Sequence, residues 1–219
     1  MAWTAANSEG YPAPAALRVD VVVLTVREQA PQVLTVGGRA LPGGFVGAGE
    51  DPTDTARRKL REKTGVDRAY LEQLATFARP GRDPRGWVPT VAHLALVPPD
   101  TETDDPAAAW VGVDASLAYD HHEIVATAVE RVRGKLWWSN VAVGILPGAF
   151  PLSDARTVYE AIARITYDPA TFARDLKATG LVAPTGERRS EGRGRPAALY
   201  RFASERPVWG AGRRKRVAT

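Results

Sequence analysis

Hydrophobic and polar positions along the chain change period from segment to segment, and their order predicts alternating strands and helices. Val19–Val26 (VDVVVLTV) is a β-branched run that predicts a buried strand, and Val33–Val36 predicts a second, closed by the Gly37-Gly38 turn. Pro42–Glu50 (PGGFVGAGE) reads as a glycine-rich loop. Pro52 starts a helix that runs to about Thr64 and stops at Gly65, because proline suits a first helical turn and glycine the residue after the last. Leu71–Phe77, Trp87–Val97 and Ala109–Val113 predict further strands, separated by the loop Pro80–Gly86 (PGRDPRG) and the acidic stretch Pro98–Pro106. Ile124, Val125, Ala128, Val129 and Val132 recur at helical spacing and place a helix over His121–Lys135, with Asp120 as its N-cap.

A second section begins near Leu146–Pro151. Ser153 is expected to cap a helix whose apolar face is Ala155, Val158, Tyr159 and Ile162. Asp168 caps the next one, with Pro169 at its first position, Phe172 and Leu176 facing inward, and Gly180 at its end. Leu181–Ala183 and Ala198–Phe202 read as the strands of a hairpin. Two helices followed by a basic hairpin outline a winged helix-turn-helix, with Tyr159, Phe172, Tyr200 and Phe202 as its small core. The domain boundaries expected are a loosely packed start (1–17), a body (18–148), the winged helix (149–204) and a basic tail (205–219).

Charge sharpens this division. The 219 residues carry a net charge of +4, but residues 151–219 hold 14 Lys and Arg against 7 Asp and Glu, which leaves the rest of the chain acidic. A basic section on an acidic body points to a polyanionic partner for the former. Zero cysteines exclude disulfides, thiolate catalysis and Cys-ligated metals. No apolar run approaches the length of a membrane span, and the first residues lack the basic-then-apolar order of a secretory signal, so a cytoplasmic location is expected.

The segment Gly44-x5-Glu50-x7-Arg58-x-Leu60-x-Glu62-x2-Gly65-Val66 resembles the Nudix box, GX5EX7REUXEEXGU (U a bulky aliphatic), over its whole length, and Leu41-Pro42-Gly43 completes the LPGG that precedes it in that superfamily. In such a box, glutamates on successive helical turns hold Mg2+ against a diphosphate. Here two of them are replaced by Lys59 and Lys63. A lysine brings positive charge and no acceptor, so it repels the ion. The scaffold is therefore expected to be kept and hydrolysis lost, with no catalytic residue, metal or cofactor. Lys59 and Lys63 either neutralise the phosphates of a bound nucleotide or are solvated surface residues. The GRDPRG loop is similar to that of ADP-ribose-type Nudix domains. Arg82 and Arg85 either recognise phosphate and ribose or close a turn on Asp83, and Trp87 either stacks on a base or fills the core or a dimer interface. Arg39 either contacts phosphate or is merely exposed, His121 in the first turn of its helix is a secondary candidate to reach the pocket, and Gly43, Gly44 and Glu62 complete the expected effector site.

The order LPGGFV, GRDPRG, DHHEI, ARTVYEAI, D-x3-F-x3-L, TGE and GRPAALYRF resembles the Nudix-related transcriptional regulator (NrtR) family over Val19–Phe202. The resemblance implies an α/β protein: an N-terminal Nudix fold (an α/β/α sandwich) followed by a winged helix-turn-helix. It further implies a homodimeric repressor that binds double-stranded DNA at a palindromic operator and senses a nucleotide such as ADP-ribose. The residue pattern agrees: Thr171, Arg174 and Lys177 share the outer side of the Asp168–Thr179 helix, as on a recognition helix, and Arg188, Arg189, Arg193 and Arg195 supply a wing that grips phosphate or reaches the minor groove. The helix at 121–135 and Trp137–Asn140 (WWSN) are candidates for dimer or interdomain packing. The tail Arg213–Arg216 either adds non-specific DNA affinity or is inert. The alternative to a regulator is an active Nudix pyrophosphohydrolase with an accessory nucleic-acid module, and the lysines at 59 and 63 argue against it.

Overall fold

A computed structural model of the chain describes residues 16–67, 69–190 and 196–204. The start of the N-terminal segment, Arg193 and Arg195 of the expected wing and the basic tail lie outside the described residues. The elements in order are β1 (Arg18–Arg27), β2 (Ala30–Thr35), β3 (Gly43–Phe45), α1 (Pro52–Thr64), β4 (Tyr70–Phe77), β5 (Thr90–Leu96), β6 (Ala109–Gly112), α2 (His121–Lys135), a 3-10 turn over Val141–Gly144, β7 (Phe150–Pro151), α3 (Leu152–Ala163), α4 (Pro169–Ala178), β8 (Val182–Arg189) and β9 (Ala197–Phe202).

The first six strands form one sheet in the order β4-β5-β1-β2-β6, with β3 paired antiparallel to β1. β1 lies at its centre and is buried from Val19 to Val26, which is why its sequence shows no alternation. Each Val or Leu so buried stabilises the fold by roughly 1.5–3 kcal/mol relative to an exposed one. The three remaining strands form a small sheet, β7-β9-β8. By their contacts the described residues up to Leu24, Gln32–Ala95 and Asp100–Ala128 make one compact unit, and Thr25–Pro31, Leu96–Pro99 and Val129 onward make another. Within the second unit the end of α2 is anchored to α3: Arg133 Nε donates to the Ile162 carbonyl at 3.3 Å, and the Tyr159 hydroxyl donates to the Leu136 carbonyl at 2.6 Å.

Several boundaries differ from those expected. The glycine-rich loop contains the strand β3, since Gly43–Phe45 pairs with Asp20–Arg18. The fifth strand starts at Thr90 and not at Trp87, after Pro89, which has no N–H to give a ladder. Ser153 lies inside α3, whose N-cap is Pro151 without a side-chain bond. Asp120 does not cap α2 with its carboxylate, which both Arg82 nitrogens occupy. Asp51 and Asp168 do cap α1 and α4, accepting from Thr53 N at 2.7 Å and Thr171 N at 2.8 Å. β8 extends to Arg189, well past the three residues expected. A register shift between Pro184 and Arg188, with Gly186 at φ 85°, lets the polar TGERR segment keep pairing while solvent covers it, so no apolar pattern marks it.

The WWSN segment packs within the second unit. The Trp137 ring meets Tyr159, Tyr167 and Phe172 edge-on at 5.2–5.5 Å, and its Nε1 donates to the Tyr167 hydroxyl. Tyr159, Phe172 and Phe202 are buried as expected of a mini-core, whereas Tyr200 is half-buried and carries the Lys177 ammonium 5.3 Å from its ring centre.

Candidate functional site

β3 and α1 assemble the box. A Cβ on Gly43 would sit 2.3 Å from the Val19 carbonyl and 2.5 Å from Asp20 Oδ1, and one on Gly44 would meet the Lys59 stem at 2.7 Å. Gly43 is therefore needed for close packing against the β1 backbone, whereas Gly44 lies beneath the movable stem of a lysine that stands where the box has glutamate. Lys59 Nζ donates to Glu62 at 2.8 Å. Arg58 grips Glu50 through two nitrogens at 2.8 and 2.5 Å and reaches Glu62 at 3.1 Å. The Arg58 bonds hold the Glu50 carboxyl down at about 2, and Lys59 and then Arg58 lower that of Glu62. Both carboxylates are thus neutralised by cations, and Lys63 is exposed on the next turn. This donor set does not fit a divalent metal, which needs anionic oxygens free of competing cations.

Behind β3 lies a buried ionic cluster. Arg82 donates to both Asp120 oxygens at 2.8 Å and to the Val88 carbonyl at 2.9 Å, and its Nη2 is 3.6 Å from Asp20 Oδ2. Its side chain is 3% exposed, so it cannot meet a ligand as expected; it ties the loop before β5 to β1 and to the start of α2. Arg18 donates to Asp20 at 3.1 Å. His121 is buried as well, accepting from Leu41 N on Nδ1 at 3.0 Å, with Nε2 3.8 Å from Asp20 Oδ1. That bond makes the ring neutral with its proton on Nε2, and it fixes the residue just before the Pro-Gly-Gly run. His122 faces solvent.

Desolvation keeps His121 and His93 below the ordinary histidine value of 6.5. The unfolded chain therefore takes up these protons first, and stability is expected to fall as the pH drops below about 6.5. A second loss follows below the carboxylate range, toward the value of about 2 at which Glu50 and Asp83 protonate in the fold. Melting curves between pH 7.5 and 5 check the first step: a midpoint that does not move would contradict it.

The GRDPRG loop closes on itself. Arg85 donates to Asp83 at 2.8 and 2.6 Å, holding the Asp83 carboxyl at about 2, while its guanidinium lies over the Phe45 ring, 5.0 Å from the centre. Trp87 is exposed, with Nε1 donating to the Ala78 carbonyl at 3.0 Å; it does not fill core. Arg39 is exposed and donates to Ser116 Oγ and to the Ser116 carbonyl at 2.6 and 3.1 Å.

In the second unit α3 and α4 form the helix pair and β8–β9 the wing. Phe172 and Leu176 are buried, and Arg174, Lys177 and Ala178 are exposed, with Thr171 half-exposed beside them. The Arg174 side chain is 70% exposed, touching Asp175 at 3.1 Å, and is therefore available to a ligand. Arg188 and Arg189 are strand residues and not loop residues: Arg188 donates to the Pro196 carbonyl at 2.7 and 3.1 Å, and Arg189 to Asp154 at the start of α3 at 2.9 Å.

Sequence reasoning missed Asp20 as the centre of the buried cluster and gave Arg58, though aligned in the box, no part in the site. Asp20 carries one visible signal: it is a lone carboxylate in an apolar run. Arg58 is fixed by the box pattern itself.

Residues 16–132 match the NUDIX domain and residues 142–202 the NrtR DNA-binding winged helix domain. The chain is 33% identical over 211 residues to the ADPR responsive transcriptional repressor NtrR of Acinetobacter baylyi, spanning 88% of this chain and 84% of that one. Among solved structures it is similar to Shewanella oneidensis NrtR complexed with a 27mer DNA (TM-score 0.74, 33% identity, 85% of this chain and 93% of that one). It is also similar to a MutT/nudix family protein from Enterococcus faecalis (TM-score 0.70, 27% identity, 88% and 87%).

Proposed function

The chain belongs to the NrtR family of Nudix-related transcriptional regulators, and from this premise we propose that it is a DNA-binding transcriptional repressor responsive to ADP-ribose or a closely related nucleotide. The observation that carries the reading is the exposed face of α4, Thr171, Arg174 and Lys177, on a winged helix joined to a NUDIX domain. Two copies would present α4 to major grooves about 34 Å apart on a palindromic operator. The wing arginines Arg188, Arg189, Arg193 and Arg195 supply phosphate contacts, at whose approach Arg189 leaves Asp154. In the sensor, Arg39, Lys59, Lys63 and Arg85 offer cations to the effector. Arg82 and His121 act behind them as positioning residues for the strand that carries Gly43 and Gly44.

The sensor is proposed to bind without hydrolysing, because Glu50 and Glu62 are held by Arg58 and Lys59. Incubated with ADP-ribose and Mg2+, the protein is expected to release no AMP above background. The same ligand at 100 times its Kd should add about 2.7 kcal/mol of stability, read as a raised melting temperature. Brisk turnover would overturn the non-catalytic reading, and the absence of any shift would overturn the sensor.

A further inference from the structure

We propose that Tyr200 is a positioning residue for DNA binding: its ring holds the Lys177 ammonium at the flank of α4, where it meets a backbone phosphate and not a base. This rests on the reading of the chain as a DNA-binding regulator. The geometry starts on β9. That strand is the middle one of the small sheet, and Tyr200 stands opposite Phe150 of β7 and Pro184 of β8. Side chains two apart on a strand share a face, so Tyr200 points the same way as Phe202, which is buried with its ring 5.2 Å from that of Phe150. Phe202 closes the core, and Tyr200, half-buried, stands at its rim. Lys177 Nζ lies 5.3 Å from the centre of the Tyr200 ring, within the range of a cation–π contact.

The helix sets that ammonium apart from Arg174. At about 100° per residue, Arg174 lies about 180° around α4 from the midpoint of the buried pair Phe172 and Leu176, and Lys177 about 120°. Arg174 thus projects straight outward, while Lys177 leaves the helix on the side where its ammonium reaches β9. The kind of partner matters as well. Lys59 and Arg189 lie on carboxylates, which cancel their charge. A tyrosine ring restrains an ammonium and leaves its charge intact for an anion. Lysine is a compact point charge suited to phosphate, whereas the planar fork of arginine matches two acceptors on a base edge. Restraint in the free protein also reduces the side-chain freedom lost on binding. Tyr200 therefore brings no charge of its own to DNA; it sets where Lys177 presents one.

Anisotropy titrations of the full chain test the pair, with a duplex that the protein selects from a randomised pool, a scrambled duplex and several salt concentrations. Lys177→Met is expected to weaken both duplexes by the same factor, about five- to tenfold near 0.1 M salt, and to reduce the slope of log K against log salt by about one. Tyr200→Leu keeps the charge, so it should weaken both about two- to fivefold, the scale of a lost cation–π contact, with the slope near that of the parent. Tyr200→Phe keeps the ring and should bind like the parent. In the Lys177→Met background, Tyr200→Leu should cost nothing further. An equal loss from Tyr200→Leu in both backgrounds would mean that the ring supports the wing and not the lysine, and would overturn the proposal. So would a Lys177→Met loss confined to the selected duplex, or a Tyr200→Phe loss matching that of Tyr200→Leu. Should Tyr200→Leu fail to fold, proton NMR of the unmodified protein decides: ring-current shifts of the Lys177 Hε protons support the contact, and their absence overturns it. Failure of the unmodified protein to select any duplex would overturn the regulator reading, and the proposal with it.

Discussion

Arg82→Ala is expected to lower folding stability by about 3–5 kcal/mol, the usual cost of removing one partner from a buried ion pair. The alanine would leave the buried Asp120 without its cation, the wholly buried Asp20 with Arg18 alone, and the Val88 carbonyl without its donor. Domains are commonly stable by only about 5–15 kcal/mol, so this is a large share, and in a chain of this size it amounts to a fall of roughly 10 °C in melting temperature. The loss should be specific to unpaired charge. Arg82→Met combined with Asp120→Leu should recover much of it, since a buried pair can be exchanged for apolar groups at little net cost. A single variant melting within about 2 °C of the parent would show that water reaches this cluster and screens it.

The second large effect belongs to the DNA side. Arg174→Ala is expected to weaken operator binding about ten- to hundredfold, the range of a lost base contact of roughly 1–3 kcal/mol. The arginine projects from a helix fixed by the Asp168 cap and by Phe172 and Leu176 beneath, so its removal costs the fold little. The salt dependence separates two roles. If Arg174 reads a base, specificity relaxes and the slope of log K against log salt stays near the parent value; if it meets phosphate, the slope falls by about one. Arg193→Ala is expected to act as a phosphate contact, with the reduced slope. Unchanged binding in both variants would remove the recognition-helix and wing assignments together.

How much of this was legible in the sequence depends on where each signal lies. Elements that bury one periodic face were readable, as with Ile124–Val132 on α2 and Phe172 and Leu176 on α4, because burial imposes the period. The box could be aligned residue by residue because its glycines and charges stand at fixed spacing. Three features were not readable. β3 is only three residues long, too short for any period. The far half of β8 is solvated on both sides, so pairing leaves no apolar mark. The partners of Arg82 were hidden because Asp20 and Asp120 are far from it in sequence, and the nearby Asp83 was the obvious choice; the fold gives Asp83 to Arg85. Trp137 shows the same limit: its aromatic neighbours on α3, on α4 and in the loop between them turn a surface candidate into the centre of a small core.

The most direct test of the central claim is operator binding with and without nucleotide. Duplex DNA selected by the protein from a randomised pool is titrated by fluorescence anisotropy, with ADP-ribose absent or saturating and Mg2+ omitted. A repressor whose sensor binds without hydrolysis should change its operator affinity by at least about fivefold, the lower end of coupling energies of roughly 1–3 kcal/mol. An operator bound with the same affinity in both conditions, while ADP-ribose still raises the melting temperature, would contradict the account: the sensor would bind its ligand without informing the reader.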